Sequence, residues 1–340
     1  MKTLQPTEYL YASARIRSLE NRLVGRERME ILIESRTAAE VMDRLAEYGM
    51  KLPESDGAAT SETLFAARET MLLAVLREAY GEVEQALPVP SLLRYFRYPF
   101  DCNNLKAAIK CSIRGIPAAD MLFDFGTVPA EDVETLLREG KHTAFPPAMA
   151  AAISVAKDAY DRTGDPRRID TVLDKACYVD MLDAAAQTGD DTLLSWVKAK
   201  IDLTNVLTTL RILRMGTGAS GEAFLEEALL AGGTLAPDFF LKAYAEGETA
   251  FWEALSPTAY YRLAGAEGGL DSLSAVEKAC DDLYTELVRA GARIPFGAPV
   301  AGGYLVGCEI SVKNIRIVLA AKDAGLDNTV LRERVRVSYV

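Results

Sequence analysis

Apolar residues recur at helical spacing along most of the chain, and the strict alternation that builds a strand is absent outside residues 334–340. Tyr9, Ile16, Leu19 and Leu23 mark one face of a helix predicted from Glu8 to about Val24. A short helix follows Gly25 and runs to Glu34, and Thr37-Ala38-Ala39-Glu40 has the capping-box pattern ahead of Val41, Met42 and Leu45. Residues 49–57 read as a loop, and a long helix over 61–86 stops before Pro88 and Pro90. An aromatic-rich turn or short helix is expected over 92–98. Further helices are predicted at about 130–139, from Pro146-Pro147 to about 160, from Asp165-Pro166 to about 187, and onward from Asp190-Asp191. Short helices follow at about 222–230, 237–244, 248–255 and 258–264, then a loop at 265–269. A helix over 272–290, a Pro/Gly stretch around 295–303 and a final helix over 329–337 capped by Asp327 complete the pattern. The fold class is all-α.

One helix is written three times. Asn104-Leu105 to Gly115 returns as Asn205-Val206 to Gly216 and again as Asn314-Ile315 to Gly325. In each copy aliphatic residues stand one and five places after the Asn, on one helix face, and a Gly stands eleven places after it, where a left-handed C-cap belongs. An acid precedes each Asn: Asp101, Asp202 and, two places further upstream, Glu309. Leu173-Asp174-Lys175-Ala176-Cys177 is echoed by Val276-Glu277-Lys278-Ala279-Cys280 ahead of the second and third copies. Units of this size are domains, not solenoid turns. Three similar helical domains are expected, over 1–116, 117–217 and 218–340, with Gly216–Gly221 as a flexible joint between the last two. The repeated Asn and acid are expected to satisfy backbone groups of a neighbouring turn, with direct contact to a partner as the other reading.

Length and charge narrow the function. The chain has 340 residues, more than one core usually serves. Its net charge of −11 disfavours nucleic acid and direct adhesion to an anionic bilayer, both of which run on clustered Lys and Arg. Five scattered cysteines read as reduced, mostly buried thiols of a cytosolic protein. Charges at Glu8, Arg15 and Arg17 leave no signal-peptide core, and the uncharged run Ile294–Cys308 is too short and too rich in Gly and Pro to span a bilayer.

Little catalytic chemistry is available. The one histidine, His142, stands alone in a predicted loop, and no cluster has zinc-ligand spacing. Gly216–Gly221 lacks the Gly-Lys-Ser/Thr of a phosphate loop and follows a helix, so the chain is not expected to bind ATP. Asp281-Asp282-x-x-x-Glu286 resembles the magnesium-diphosphate motif of isoprenoid synthases, and Asp282 and Glu286 have the spacing to share a hard cation. An all-α magnesium-dependent enzyme using Asp281, Asp282 and Glu286 is therefore the alternative reading; the bland one is an exposed acidic helix face.

Five segments together resemble a known family. They are Tyr11–Glu20 with Arg15, Arg17 and Glu20; Tyr98-Pro99-Phe100-Asp101-x-x-Asn104-Leu105-Lys106; Ile169-Asp170-x-x-Leu173-Asp174-Lys175; Ile201-Asp202-x-x-Asn205, with Arg211 beyond; and Glu309-Ile310-x-x-Lys313-Asn314-Ile315-Arg316 with the ending Leu331–Val340. In this order, and over nearly the whole chain, they are similar to the C-subunit family of prokaryotic A/V-type ATPases and ATP synthases, whose vacuolar counterpart is the d subunit. Cys308 departs from the charged residue expected before Glu309. The resemblance implies a funnel of three pseudo-threefold-related helical domains with no catalytic residue, cofactor or metal. It implies a rotor part of the central stalk, peripheral to the cell membrane on the cytoplasmic side. Such a part sits on the membrane proteolipid ring, holds the tip of the shaft subunits D and F, and so couples ATP turnover to proton or sodium transport.

Overall fold

A computed structural model describes residues 5–52, 60–216, 218–264 and 270–340. The expected loops at 49–57 and 265–269, and Thr217 of the expected joint, fall largely or wholly outside these. Helices are the regular secondary structure of the described residues, with no strand among them. The chain folds as two compact units: the described residues from Gln5 to Pro90 join Glu277–Val340, and Ser91–Val276 form the other. This division is by packing and cuts the chain at other places than the repeats do.

The unit made from both ends of the chain holds α1 (Leu10–Glu20), α2 (Arg26–Glu34), α3 (Ala38–Glu47) and α4 (Ser61–Ala86). The other holds α5 (Tyr98–Arg114), α6 (Ala130–Arg138), α7 (Pro147–Thr163), α8 (Arg167–Gln187), α9 (Asp191–Met215), α10 (Gly218–Ala228), α11 (Pro237–Glu246), α12 (Glu248–Leu255) and α13 (Tyr261–Ala264). The chain then runs through α14 (Leu273–Gly291) to α15 (Ala298–Asp323) and α16 (Asn328–Arg334), which complete the first unit.

In the unit of the two ends, α15 is the axis: α1, α2, α3, α4 and α16 all pack against it. Its first three turns, Ala298 to Cys308, are buried on every face, which is why that run carries no charge. The Pro/Gly stretch expected around 295–303 is thus, from Ala298 on, the start of a helix. Pro299 lies in the first turn, where its missing N–H costs nothing. Gly303 and Gly307 are inside the helix because Tyr339 lies against them. A Cβ on Gly307 would come within 2.8 Å of the Tyr339 ring and 2.9 Å of Leu23. The helix expected over 329–337 ends at Arg334, and the backbone leaves extended from Val335 to bring Tyr339 into this groove.

In the other unit α8 is central, packed on α5, α7 and α9. Buried Asp180 on α8 accepts from the backbone N–H groups of Ala148 and Met149 at 2.8 and 2.9 Å, capping α7, whose Pro-Pro entry offers no side-chain cap of its own. Of the expected flexible joint, Gly216 is the left-handed cap that ends α9 and Gly218 begins α10, both within one unit. The helix expected over 258–264 shrinks to the single turn of α13.

Two glycine substitutions of opposite sign test this packing. Gly307→Val should destabilise by about 1–3 kcal/mol through overpacking against Tyr339 and Leu23. Gly81→Ala, inside α4 with open space around it, should stabilise by about 0.5–1 kcal/mol. Urea unfolding midpoints measure both.

Candidate functional site

The three repeated asparagines are fully buried, and each grips one residue of the chain returning after its helix. Asn104 Nδ2 donates to the Phe123 carbonyl and its Oδ1 accepts from the Phe123 N–H, both at 2.8 Å. Asn205 holds Leu230 in the same way, both bonds at 2.9 Å. Asn314 holds Arg336, again both at 2.9 Å. A side-chain amide has one donor edge and one acceptor edge, so it pairs with a peptide group as a neighbouring strand would. The Gly eleven residues on is left-handed in all three copies, with φ of 68°, 65° and 65°.

The acids add a second grip in two copies. Asp101 accepts from the N–H of Thr127 at 2.8 Å, its hydroxyl at 2.7 Å and the N–H of Val128 at 3.1 Å. Asp202 accepts from the N–H of Thr234 at 2.8 Å, its hydroxyl, and the N–H of Leu235 at 3.1 Å, and also from the Tyr260 hydroxyl at 2.7 Å. Thr127 and Thr234 each follow the stapled residue by four places, so the two loops are the same loop. The glycine before each threonine is required: a Cβ on Gly126 or Gly233 would collide with the carboxylate. Burial raises the Asp101 pKa, although the bonds from Thr127 and Val128 oppose it.

The third copy is built otherwise. Ser311 stands where the acid would be, and Glu309 instead accepts from the Tyr80 hydroxyl at 2.7 Å. Its acids come from α14: Asp282 Oδ1 accepts from the Val337 N–H at 2.6 Å, and Asp281 accepts from Arg336 Nε at 2.9 Å and from Lys313. Lys278 also pairs with Asp282. These carboxylates hold the final segment of the chain, which overturns the magnesium-motif alternative. No cluster of three or more His, Cys, Asp or Glu among the described residues could hold a metal ion.

The remaining motif positions mostly hold helices together. Arg15 pairs with Glu82 on α4. Arg17 bonds Glu20 at 2.8 Å and the carbonyls of Ala292 and Ile294 at 2.6 and 3.0 Å, tying α1 to the end of α14. Arg316 meets Glu69 through two bonds of 2.8 Å. Lys106 and Lys110 on α5 pair with Asp174 and Asp170 on α8. Burial disfavours the Lys106 charge, but Cys102 and Asp174 outweigh it and raise its pKa. Half-buried Lys175 has its pKa lowered by burial, against the pull of Glu226.

Three motif residues meet at an open feature. A cleft of about 710 Å³ between α8, α9 and α10 is lined by Asp170, Asp174 and Arg211, over a floor that includes Ile212, Met215 and Phe224. Arg167 and Arg168 lie over the Phe224 ring at 5.5 and 6.0 Å.

Comparison with known proteins places the chain. The family model "ATP synthase (C/AC39) subunit" matches residues 12–334. The chain belongs to the ATP synthase (C/AC39) subunit family. It is similar to the C subunit of the A-type ATP synthase of Methanocaldococcus jannaschii, 28% identical over 92% of this chain and 82% of that one. It is 26% identical to the corresponding A-type protein of Thermococcus kodakarensis over 96% of this chain and 90% of that one. It is 23% identical to the C subunit of the V-type sodium ATPase of Enterococcus hirae over 76% of this chain and 78% of that one. As a C/AC39 chain it is part of an ATP synthase complex and not a catalytic part.

The residues missed in the sequence of this C/AC39 chain are the receivers of the grip. Gly126-Thr127-Val128 and Gly233-Thr234-Leu235 form a second repeat, readable as Gly-Thr-aliphatic shortly before a helix. Asp180, the cap of α7, had no local signal.

Asn205→Ala should destabilise by roughly 2–5 kcal/mol, because the Leu230 N–H and C=O are left buried and unpaired; chemical denaturation measures it. A second expectation concerns pH. The folded pKa of Asp101 lies above the ordinary 3.8, so the folded state holds the proton more tightly. This group's contribution to stability is then most favourable below 3.8 and falls as pH rises through the window up to its raised folded pKa. The stability difference between the parent and Asp101→Asn, measured from pH 3 to 7, should move against the parent across that window; a flat difference overturns the assignment.

Proposed function

We propose that this C/AC39 chain is a non-catalytic central-stalk component of an A/V-type ATPase or ATP synthase. Its three helical repeats form a funnel that sits on the membrane proteolipid ring and receives the tip of the shaft subunits D and F. Rotation driven by ATP turnover, or driving ATP synthesis, then passes through it to ion transport by the ring. The motif residues Asp101, Asn104, Asp202, Asn205 and Asn314 serve this role by position and not by chemistry.

The observation that carries the reading is the grip on the returning chain. A part that transmits torque must resist bending where a helix hands over to the next segment. In three places the chain that returns past a repeated helix is held by two hydrogen bonds from a buried side chain of that helix, in the second and third after an intervening short helix. The membrane contact in this reading is peripheral, and no helix of the described residues is long and apolar enough to cross a membrane. The net charge of −11 suits docking to basic loops of the ring or a basic shaft tip, where complementary charge sets orientation.

The test is capture of the purified chain by the D–F pair and, separately, by the detergent-solubilised ring, at low and high salt. Both should be captured, and raising the salt should weaken at least one of them several-fold. Capture of neither would end the stalk reading; capture insensitive to salt would end the role given to charge.

A further inference from the structure

The first repeated helix lacks a cover that the other two possess. After Gly216 the chain forms α10, packed on α9, before it reaches the gripped Leu230. After Gly325 it forms α16, packed on α15, before the gripped Arg336. After Gly115 it forms one 3-10 turn, Ala119–Met121, and no α-helix before the gripped Phe123. Phe123 stands eight places after Gly115, where Leu230 stands fourteen after Gly216 and Arg336 eleven after Gly325. Burial follows the cover. Leu230 is 3% and Arg336 8% exposed, whereas Phe123 is 41% exposed although Asn104 holds its backbone on both sides. Met121, 55% exposed, and Ile116, 42% exposed, continue the row. Both adjoin buried Cys111: its thiol donates to Met121 Sδ at 3.6 Å, and its carbonyl accepts from the Ile116 N–H at 3.1 Å. Cys111 and Asn104 share one face of α5, about 10 Å apart along it, or two helical turns.

The edges of the row are acidic. Between Arg114 and Arg138 the chain has five acids and no Lys or Arg. Asp120 and Asp124 adjoin Met121 and Phe123, are exposed, and form no ion pair with a described residue. Glu134 of α6 is beside the row, accepting from the Ala118 N–H at 2.9 Å. Arg97, at the far end of this loop, donates to the Phe125 carbonyl at 3.0 Å.

We propose that a helix of a partner protein lies along this row, taking the place on α5 that α10 takes on α9 and α16 takes on α15. Its apolar face covers Ile116, Met121 and Phe123, and Lys or Arg beside that face meets Asp120 and Asp124. A helix presents anchors over two turns, which is the length of the row, and an exposed methionine adapts to the side chains it meets. The acidic edge selects a basic helix and repels an anionic bilayer or nucleic acid. That the helix belongs to a stalk or ring subunit rests on the reading under Proposed function; the chemistry of the row does not.

Two arms test it. In the first, the full chain is labelled with 13C-methyl methionine, and the Met121 methyl, assigned through Met121→Leu, is followed by NMR during titration with a short amphipathic peptide of Leu and Lys or its Leu–Glu counterpart. The basic peptide should shift it and the acidic one should not. By fluorescence anisotropy of the labelled basic peptide, Met121→Gln and the pair Asp120→Asn with Asp124→Asn should each bind several-fold more weakly, with melting temperatures unchanged. An unshifted Met121 methyl, an equal shift by the acidic peptide, or unaltered affinity in both variants overturns the chemistry of the row. A parent that is dimeric in solution and becomes monomeric in Met121→Gln gives the row to a second copy and overturns the partner helix. In the second arm, the pair Asp120→Lys with Asp124→Lys is compared with the parent for capture by the D–F pair and by the ring. It should bind one of them at least tenfold more weakly. Undiminished capture by both overturns the docking role. If the parent itself captures neither, the stalk reading fails, and the peptide titration still decides what the row binds.

Discussion

When a long helix ends and the chain turns back along it, the returning peptide groups have no strand to pair with. Where they are buried, as at Leu230 and Arg336, an unmade hydrogen bond costs about 1–3 kcal/mol. This protein meets that constraint with a buried asparagine on the helix, used three times, whose side-chain amide pairs with a single returning residue. The next structural features follow from it. Once Phe123 or Leu230 is held, the residues four and five places later are within reach of Asp101 or Asp202, and the glycine at Gly126 or Gly233 lets the carboxylate approach. A new helix, α6 or α11, begins just beyond, aimed by the grip behind it.

The third copy solves the same problem with other parts. Its returning segment is the extended end of the chain, held by Asn314 from α15 and by Asp281 and Asp282 from α14. Tyr339 then fills the groove left by Gly303 and Gly307, and the Arg26 N–H donates to the Val340 carbonyl at 3.1 Å. The last residues of the chain thereby hold its first helices against α15, which explains why the two ends form one compact unit. An acidic pair that looks like a cation site from its spacing is consumed by cationic side chains and a backbone N–H from this packing.

Charge plays two distinct parts. Within the units, pairs such as Arg316–Glu69 and Lys110–Asp170 join helices, each contributing little because it is partly exposed. Across the surface, the excess of acid gives a field that orients a partner more than it holds one.

What the sequence determined by itself is the local and repeated part. Helical periodicity marked the all-α class, the left-handed glycines were placed by the need for a residue without a Cβ, and the Asn–acid repeat was visible because one local problem drew one local solution. The family was legible from five segments in order along the chain, and its model matches residues 12–334. Only the tertiary structure decided the rest. It alone paired Asn104 with Phe123 and Asn314 with Arg336, across 19 and 22 residues, since the sequence names a donor but not its distant acceptor. It turned a Pro/Gly run into the buried axis α15, because glycine signals a close approach as readily as a bend, and the approaching Tyr339 comes from the far end of the chain. It also made Asp281 and Asp282 holders of that end instead of cation ligands, because what a carboxylate does is set by whatever charge and backbone the fold brings to it.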